Sequence, residues 1–138
     1  WATAYQDILD YVGVKGELGK VVAGGAMMGP AVENLSYPTT KTTSGLIFLS
    51  KAAAEPAPVN PCIRCGRCVE YCPMGLEPVE VNQAYAARDV QELGKLHADY
   101  CFNCGSCTFV CPAKRPCTQM MGLAKAFYLG EIKKGGNK

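Results

Sequence analysis

The chain has 138 residues, 49% of them hydrophobic, and a net charge of +2 from 14 basic and 12 acidic side chains. Such a length allows one domain or two small ones, and no apolar run approaches the ~20 residues that cross a membrane. No signal peptide is visible, and a weak charge without a recognition motif argues against nucleic acid.

In chain order, the spacing of Tyr5, Ile8, Leu9 and Val12 predicts a helix over residues 3–12, with Thr3 and Gln6 as a capping box. Gly13 and Gly16 break it. Lys20 to Ala23 reads as a strand running into Gly24-Gly25-Ala26-Met27-Met28-Gly29. That loop has neither a dinucleotide fingerprint nor a phosphate-loop lysine, so it reads as a tight turn with two core methionines. Residues 31–45 are polar and turn-rich, and Leu46 to Leu49 reads as a buried strand. Ala52 to Pro61 reads as a linker, with Pro56, Pro58 and Pro61 favouring extended backbone.

Two cysteine runs follow. Cys62, Cys65, Cys68 and Cys72 are repeated in Cys101, Cys104, Cys107 and Cys111, and each run ends in proline, Pro73 or Pro112. Both read C-x2-C-x2-C-x3-C-P, the ligand pattern of proteins holding two [4Fe–4S] clusters, in which the fourth cysteine serves the other cluster. The predicted ligand sets are Cys62, Cys65, Cys68 and Cys111 for cluster I, and Cys101, Cys104, Cys107 and Cys72 for cluster II. Gly66 and Gly105, without a Cβ, let the backbone pass close to a cluster. Zinc sites draw two C-x2-C knuckles from separate segments, unlike three cysteines in one loop. Secreted disulfide scaffolds favour even cysteine counts, and this chain has nine. Neither run is the C-x-x-C-H of haem attachment. The runs form an internal repeat, which implies a pseudo-twofold arrangement.

The insert between the runs predicts helices from Pro78 or Val79 to Ala87 and from an Asp89 cap to Leu96. A helical insert points to a helical two-cluster core instead of one built on β-hairpins. His97 reads as the end of a helix near the surface. Cys117, the ninth cysteine, reads as a small buried side chain, with replacement ligand as the other reading. Thr118 opens a last helix whose apolar positions are Met120, Met121, Leu123, Ala124, Phe127 and Tyr128. Residues 101–138 carry six basic side chains and one acidic, read as a solvated tail around Lys133, Lys134 and Lys138 or as a surface for an acidic partner or anionic lipid.

The glycine–methionine loop, Lys41-Thr42-Thr43-Ser44-Gly45, the proline linker, the first run from Pro61, and the second run with Pro112-Ala113-Lys114-Arg115-Pro116 together resemble the C subunit of the Rnf complex. That complex is an ion-translocating ferredoxin:NAD oxidoreductase. Two positions depart from the family pattern: Ala26 stands for a proline, and Cys117 for an aliphatic residue. The resemblance covers the C-terminal part of the family's protein, and the opening at Trp1 reads as that of a fragment. It implies an α+β chain: residues 1–50 as a partial soluble-ligand-binding β-grasp (SLBB) domain, 51–61 as linker, 62–130 as an α-helical dicluster ferredoxin domain and 131–138 as a basic tail. It implies electron relay between an upstream flavin and a ferredoxin-like partner subunit, peripheral on the cytoplasmic face of the cell membrane. FMN and NADH would bind only to an upstream module that this sequence does not contain. Cobalamin reductases of propanediol-utilising microcompartments share the architecture, so a soluble reductase module is the alternative. A third reading makes the clusters purely structural.

Overall fold

The computed structural model describes residues 2–135, in two compact units, Trp1–Ala57 and Pro58–Lys138.

In the first unit, α1 (Tyr5–Val12) is followed by β1 (Leu18–Ala23), β2 (Ala31–Val32), β3 (Leu46–Ser50) and α2 (Lys51–Ala54). The strands form one antiparallel sheet in the order β2-β1-β3. The central strand buries Val21 and Val22, paired with Val32 and Ala31 on one side and with Phe48 and Ile47 on the other. Glycine is required at position 19, because a Cβ there would lie 2.6 Å from Lys51 Cα and 2.8 Å from Ala54 Cβ. The bare backbone of Gly19 is what lets α2 lie on β1.

Several expectations for this unit need correction. Thr3 does not cap α1: the N-cap is Ala4, with no side-chain bond. The first-turn N–H groups of Tyr5 and Gln6 instead donate to the carbonyls of Tyr37 and Leu35 at 3.1 and 3.0 Å. Once a loop carbonyl satisfies these donors, a capping hydroxyl is unnecessary. The Gln6 side chain donates forward to Asp10 Oδ1 at 2.8 Å. Val12 is exposed, as are Met27 and Met28, which therefore are not core. The loop holding them closes through backbone, with Gly24 N–H on Gly45 O at 2.8 Å and Gly29 N–H on Gly25 O at 2.7 Å. β3 is half-buried along its length, as an edge strand of a small sheet must be. β2 lies in the stretch read as turn, and α2 occupies the start of the stretch read as linker.

The second unit is helical. Its elements are α3 (Arg67–Glu70), α4 (Pro78–Ala86), α5 (Val90–Lys95), a 3-10 turn (Ala98–Tyr100), α6 (Ser106–Phe109) and α7 (Cys117–Gly135). Asp89 caps α5 as its type dictates, accepting from Glu92 N–H at 2.9 Å. His97 follows α5 in a left-handed conformation, exposed and stacked on Tyr100. Val81 and Ala84 of α4, Leu93, Ala98, and Met121 and Ala124 of α7 form the main core. Leu123 is exposed, so the apolar stripe of α7 is narrower than its sequence indicates. That helix carries Lys133 and Lys134, while Lys138 lies outside the described residues.

The repeat extends beyond the cysteines. Helix starts recur at the same offset of thirty-nine residues as the runs: Arg67 with Ser106, and Pro78 with Cys117. So do the left-handed residues Arg64 with Asn103, Gly66 with Gly105, and Gly75 with Lys114.

Candidate functional site

Each cysteine loop is shaped by its left-handed residues. Gly66 (φ 77°) and Gly105 (φ 90°) turn the chain into α3 and α6, a conformation that suits glycine. Backbone N–H groups are directed at sulfur near other left-handed residues: Arg64 N–H to Cys62 Sγ at 3.4 Å, Asn103 N–H to Cys101 Sγ at 3.5 Å, and, after Gly75, Leu76 N–H to Cys72 Sγ at 3.3 Å. The third cysteine of each run, Cys68 or Cys107, sits buried on its short helix. The start of α7 is pinned beside Cys107, with Thr118 N–H donating to Thr108 Oγ1 at 2.8 Å and Thr118 Oγ1 lying 3.3 Å from Cys107 Sγ.

The eight run cysteines line two cavities. Cavity I, of about 260 Å³, is bordered by Cys62, Cys65, Cys68 and Cys111, and also by Cys117. Cavity II, narrower at about 20 Å³, is bordered by Cys101, Cys104, Cys107 and Cys72. In each, three run cysteines come from one run and the fourth from the other, and in cavity I Cys117, outside both runs, adds a fifth thiol. Among the described residues, no three His, Cys, Asp or Glu side chains converge on a point able to hold a single metal ion.

The donor chemistry fits an iron–sulfur group. Neither lining contains a carboxylate or an imidazole, and an all-thiol set is soft. Burial pushes the Cys68 and Cys107 thiols up, with neighbouring cysteines adding to it. Crowded, buried sulfurs are stable as thiolates only with cationic charge between them, which bound metal supplies. Cavity I also holds an orphan: Asn82 lines it, and its buried carboxamide oxygen has no hydrogen-bond partner.

Charge differs between the cavities. Arg64, Arg67 and Arg115 border cavity I, whereas Asn103 and Ser106 take the corresponding places of cavity II. Arg64 reaches Gln83: with the Gln83 amide turned over, its oxygen accepts from Arg64 Nη2 at 3.2 Å and its nitrogen donates to Glu80 Oε2 at 3.2 Å. Glu70 and Glu77, which flank Cys72 in sequence, border neither cavity.

Sequence reasoning missed one wall of cavity I, formed by Val79, Asn82, Gln83 and Ala86 of α4. Their helical spacing was the available signal. It was masked because Val81 and Ala84, on the opposite face, fill the core. Cys117 is buried, in keeping with its sequence context, and packs among Cys68, Cys107 and Cys111. Its thiol is pushed up to about 12, first by burial and then by the neighbouring sulfurs. His97 borders neither cavity.

Residues 61–114 match the family of 4Fe-4S dicluster domains. Among curated proteins, the C subunit of the ion-translocating oxidoreductase complex of Rhodobacter capsulatus is 42% identical over 77 residues, covering 56% of this chain and 15% of that protein. The C subunit of the proton-translocating ferredoxin:NAD(+) oxidoreductase complex of Clostridium ljungdahlii is 43% identical over 77 residues, 55% of this chain and 17% of that protein. The C subunit of the Na(+)-translocating ferredoxin:NAD(+) oxidoreductase complex of Acetobacterium woodii is 38% identical over 87 residues, 62% and 19% respectively. These matches span less than a fifth of each relative's length. Residues 61–114 thus match the 4Fe-4S dicluster domain family, and the chain is similar, over 77 to 87 residues, to the C subunits of ion-translocating oxidoreductase complexes.

Proposed function

We propose that Cys62, Cys65, Cys68 and Cys111 hold one [4Fe–4S] cluster and that Cys101, Cys104, Cys107 and Cys72 hold a second. When bound, each cluster supplies a site for one-electron exchange. The chain's own residues hold the sulfurs, direct backbone N–H groups at them and set the charge around each cavity. The single observation that carries this reading is the placement of the run cysteines in the two walls, three from one run and the fourth from the other.

The chain then relays electrons singly within a membrane-associated, ion-translocating oxidoreductase complex. The names of the relatives favour this over a soluble cobalamin reductase module. Its partners are other subunits of such a complex, one of them ferredoxin-like, and flavin and NADH chemistry we assign to a module other than these residues. No helix among the described residues is long and apolar enough to cross a membrane. We place the chain peripherally on the cytoplasmic face. Residues 1–50 we assign to part of an SLBB-type β-grasp domain; an antiparallel sheet carrying a short helix is compatible with that assignment. Residues 62–130 we assign to a helical dicluster ferredoxin domain.

Potentiometric titration of the anaerobically purified chain tests the relay. Two reversible one-electron transitions are expected. Clusters that take up no electron, or are destroyed on reduction, would make them structural.

A further inference from the structure

The repeat pairs residues of one cavity wall with residues of the other. Val79 of α4 borders cavity I at the place where Thr118 of α7 borders cavity II. The short helices before them differ in the same way, with Val69 in α3 and Thr108 in α6. Valine and threonine have nearly the same shape, so cavity II differs here by two hydroxyl groups.

Those hydroxyls are ordered by a chain of hydrogen bonds. Thr118 N–H donates to Thr108 Oγ1 at 2.8 Å, and the Thr108 hydroxyl donates to Thr118 Oγ1 at 2.8 Å. The Thr118 oxygen therefore accepts from Thr108, and its own single proton is left for another acceptor. Cys107 Sγ lies 3.3 Å from it. A ligand thiolate has no proton to give, so with Cys107 ligated the bond runs from Thr118 to sulfur. The corresponding side chains at cavity I, Val69 and Val79, have no donor.

We propose that Thr118, held in place by Thr108, donates a hydrogen bond to the Cys107 sulfur and raises the reduction potential of cluster II alone. The inference rests on the two-cluster reading above and adds a residue that tunes one cluster and not the other. Reduction adds negative charge, part of it on the ligand sulfurs, and a more negative acceptor takes a stronger hydrogen bond. Hydrogen bonds to the sulfurs are among the terms that set such potentials. One electron is gained, no covalent bond changes, and the hydroxyl keeps its proton. The arginines favour reduction at cavity I, whereas this hydroxyl favours it at cavity II. Removing the hydroxyl should therefore widen the difference that removing the arginines closes.

The test is redox titration of the full, cluster-loaded chain followed by electron paramagnetic resonance. Thr118→Val should shift the one-electron equilibrium of cluster II about threefold to tenfold toward the oxidised form, roughly 28–59 mV lower, and leave cluster I in place. Thr118→Ser, which keeps the hydroxyl, should stay near the parent. After exchange into heavy water, pulsed resonance of reduced cluster II should show a coupled deuteron that Thr118→Val lacks. The pair Val69→Thr with Val79→Thr leaves cavity II untouched and should raise cluster I. Cluster II unmoved by Thr118→Val, with its deuteron signal unchanged, would overturn the proposal. So would an equal shift in Thr118→Ser, which would assign the effect to packing. If Thr118→Val takes up no second cluster, the reciprocal pair decides, and cluster I unmoved overturns the proposal. Iron and sulfide are measured separately. A parent chain that takes up no cluster overturns the two-cluster reading and this inference together, whereas a loaded chain indifferent to Thr118 overturns the hydrogen bond alone.

Discussion

Cluster I should be reduced before cluster II, and exchanging two arginines for their counterparts in the repeat should bring the potentials together. The perturbation is Arg64→Asn with Arg67→Ser, which gives cavity I the residues found at Asn103 and Ser106. Arg64 sits at φ 52° and Asn103 at φ 56°, so the new asparagine enters a backbone that the chain already uses for asparagine. Reduction adds negative charge, so a nearby cation favours the reduced form and raises the potential. Both arginines are exposed, and an exposed charge contact is worth about 0.2–1 kcal/mol. For one electron, 59 mV and about 1.36 kcal/mol both correspond to a factor of ten, so each arginine contributes roughly 10–40 mV. The double variant should lower cluster I by roughly 20–80 mV and leave cluster II in place. Raising the salt should shrink the difference. The assay is redox titration followed by electron paramagnetic resonance on parent and variant. Cluster II reduced first in the parent, or cluster I unmoved by both substitutions, would refute the charge argument.

Replacing Cys72 by alanine should halve the iron and remove the cluster of Cys101, Cys104 and Cys107, leaving the one beside Cys72 in sequence; loss of the Cys62 cluster instead would disprove crossed ligation. Gly19→Ala should destabilise the sheet unit by about 1–3 kcal/mol, the range for overpacking, because the new methyl meets the α2 backbone at 2.6 Å; calorimetry of parent and variant measures it. Cys117, its thiol pushed up to about 12, stays protonated at neutral and mildly alkaline pH. Iodoacetamide at about pH 8 should spare it in the folded chain and label it in denaturant, since the thiolate is the nucleophile.

The two cysteine runs were legible because a metal ligand pattern is local: spacing alone fixes which thiols share a loop. The α5 cap at Asp89 and the position of His97 were legible for the same reason, each depending on a few neighbouring residues. What escaped depends on partners distant in sequence. Thr3 looks like a cap until Tyr37 and Leu35 bring carbonyls to the same donors. Met27 and Met28 look like core until the sheet is seen to be too small to cover them. β2 is two residues long and pairs only because β1 offers an edge. The wall of cavity I contributed by α4 was hidden by a helix with two occupied faces. The thirty-nine-residue offset, by contrast, was fully present in the sequence, but the left-handed backbone at Gly75 and Lys114 and the helix starts at Pro78 and Cys117 show how far it extends.

The most direct test of the account is the metal content of the anaerobically purified chain, measured together with acid-labile sulfide and Mössbauer spectra. Two four-iron clusters predict about eight iron and about eight sulfide per chain, with cubane spectra. Stoichiometric zinc with iron and sulfide near zero would contradict it.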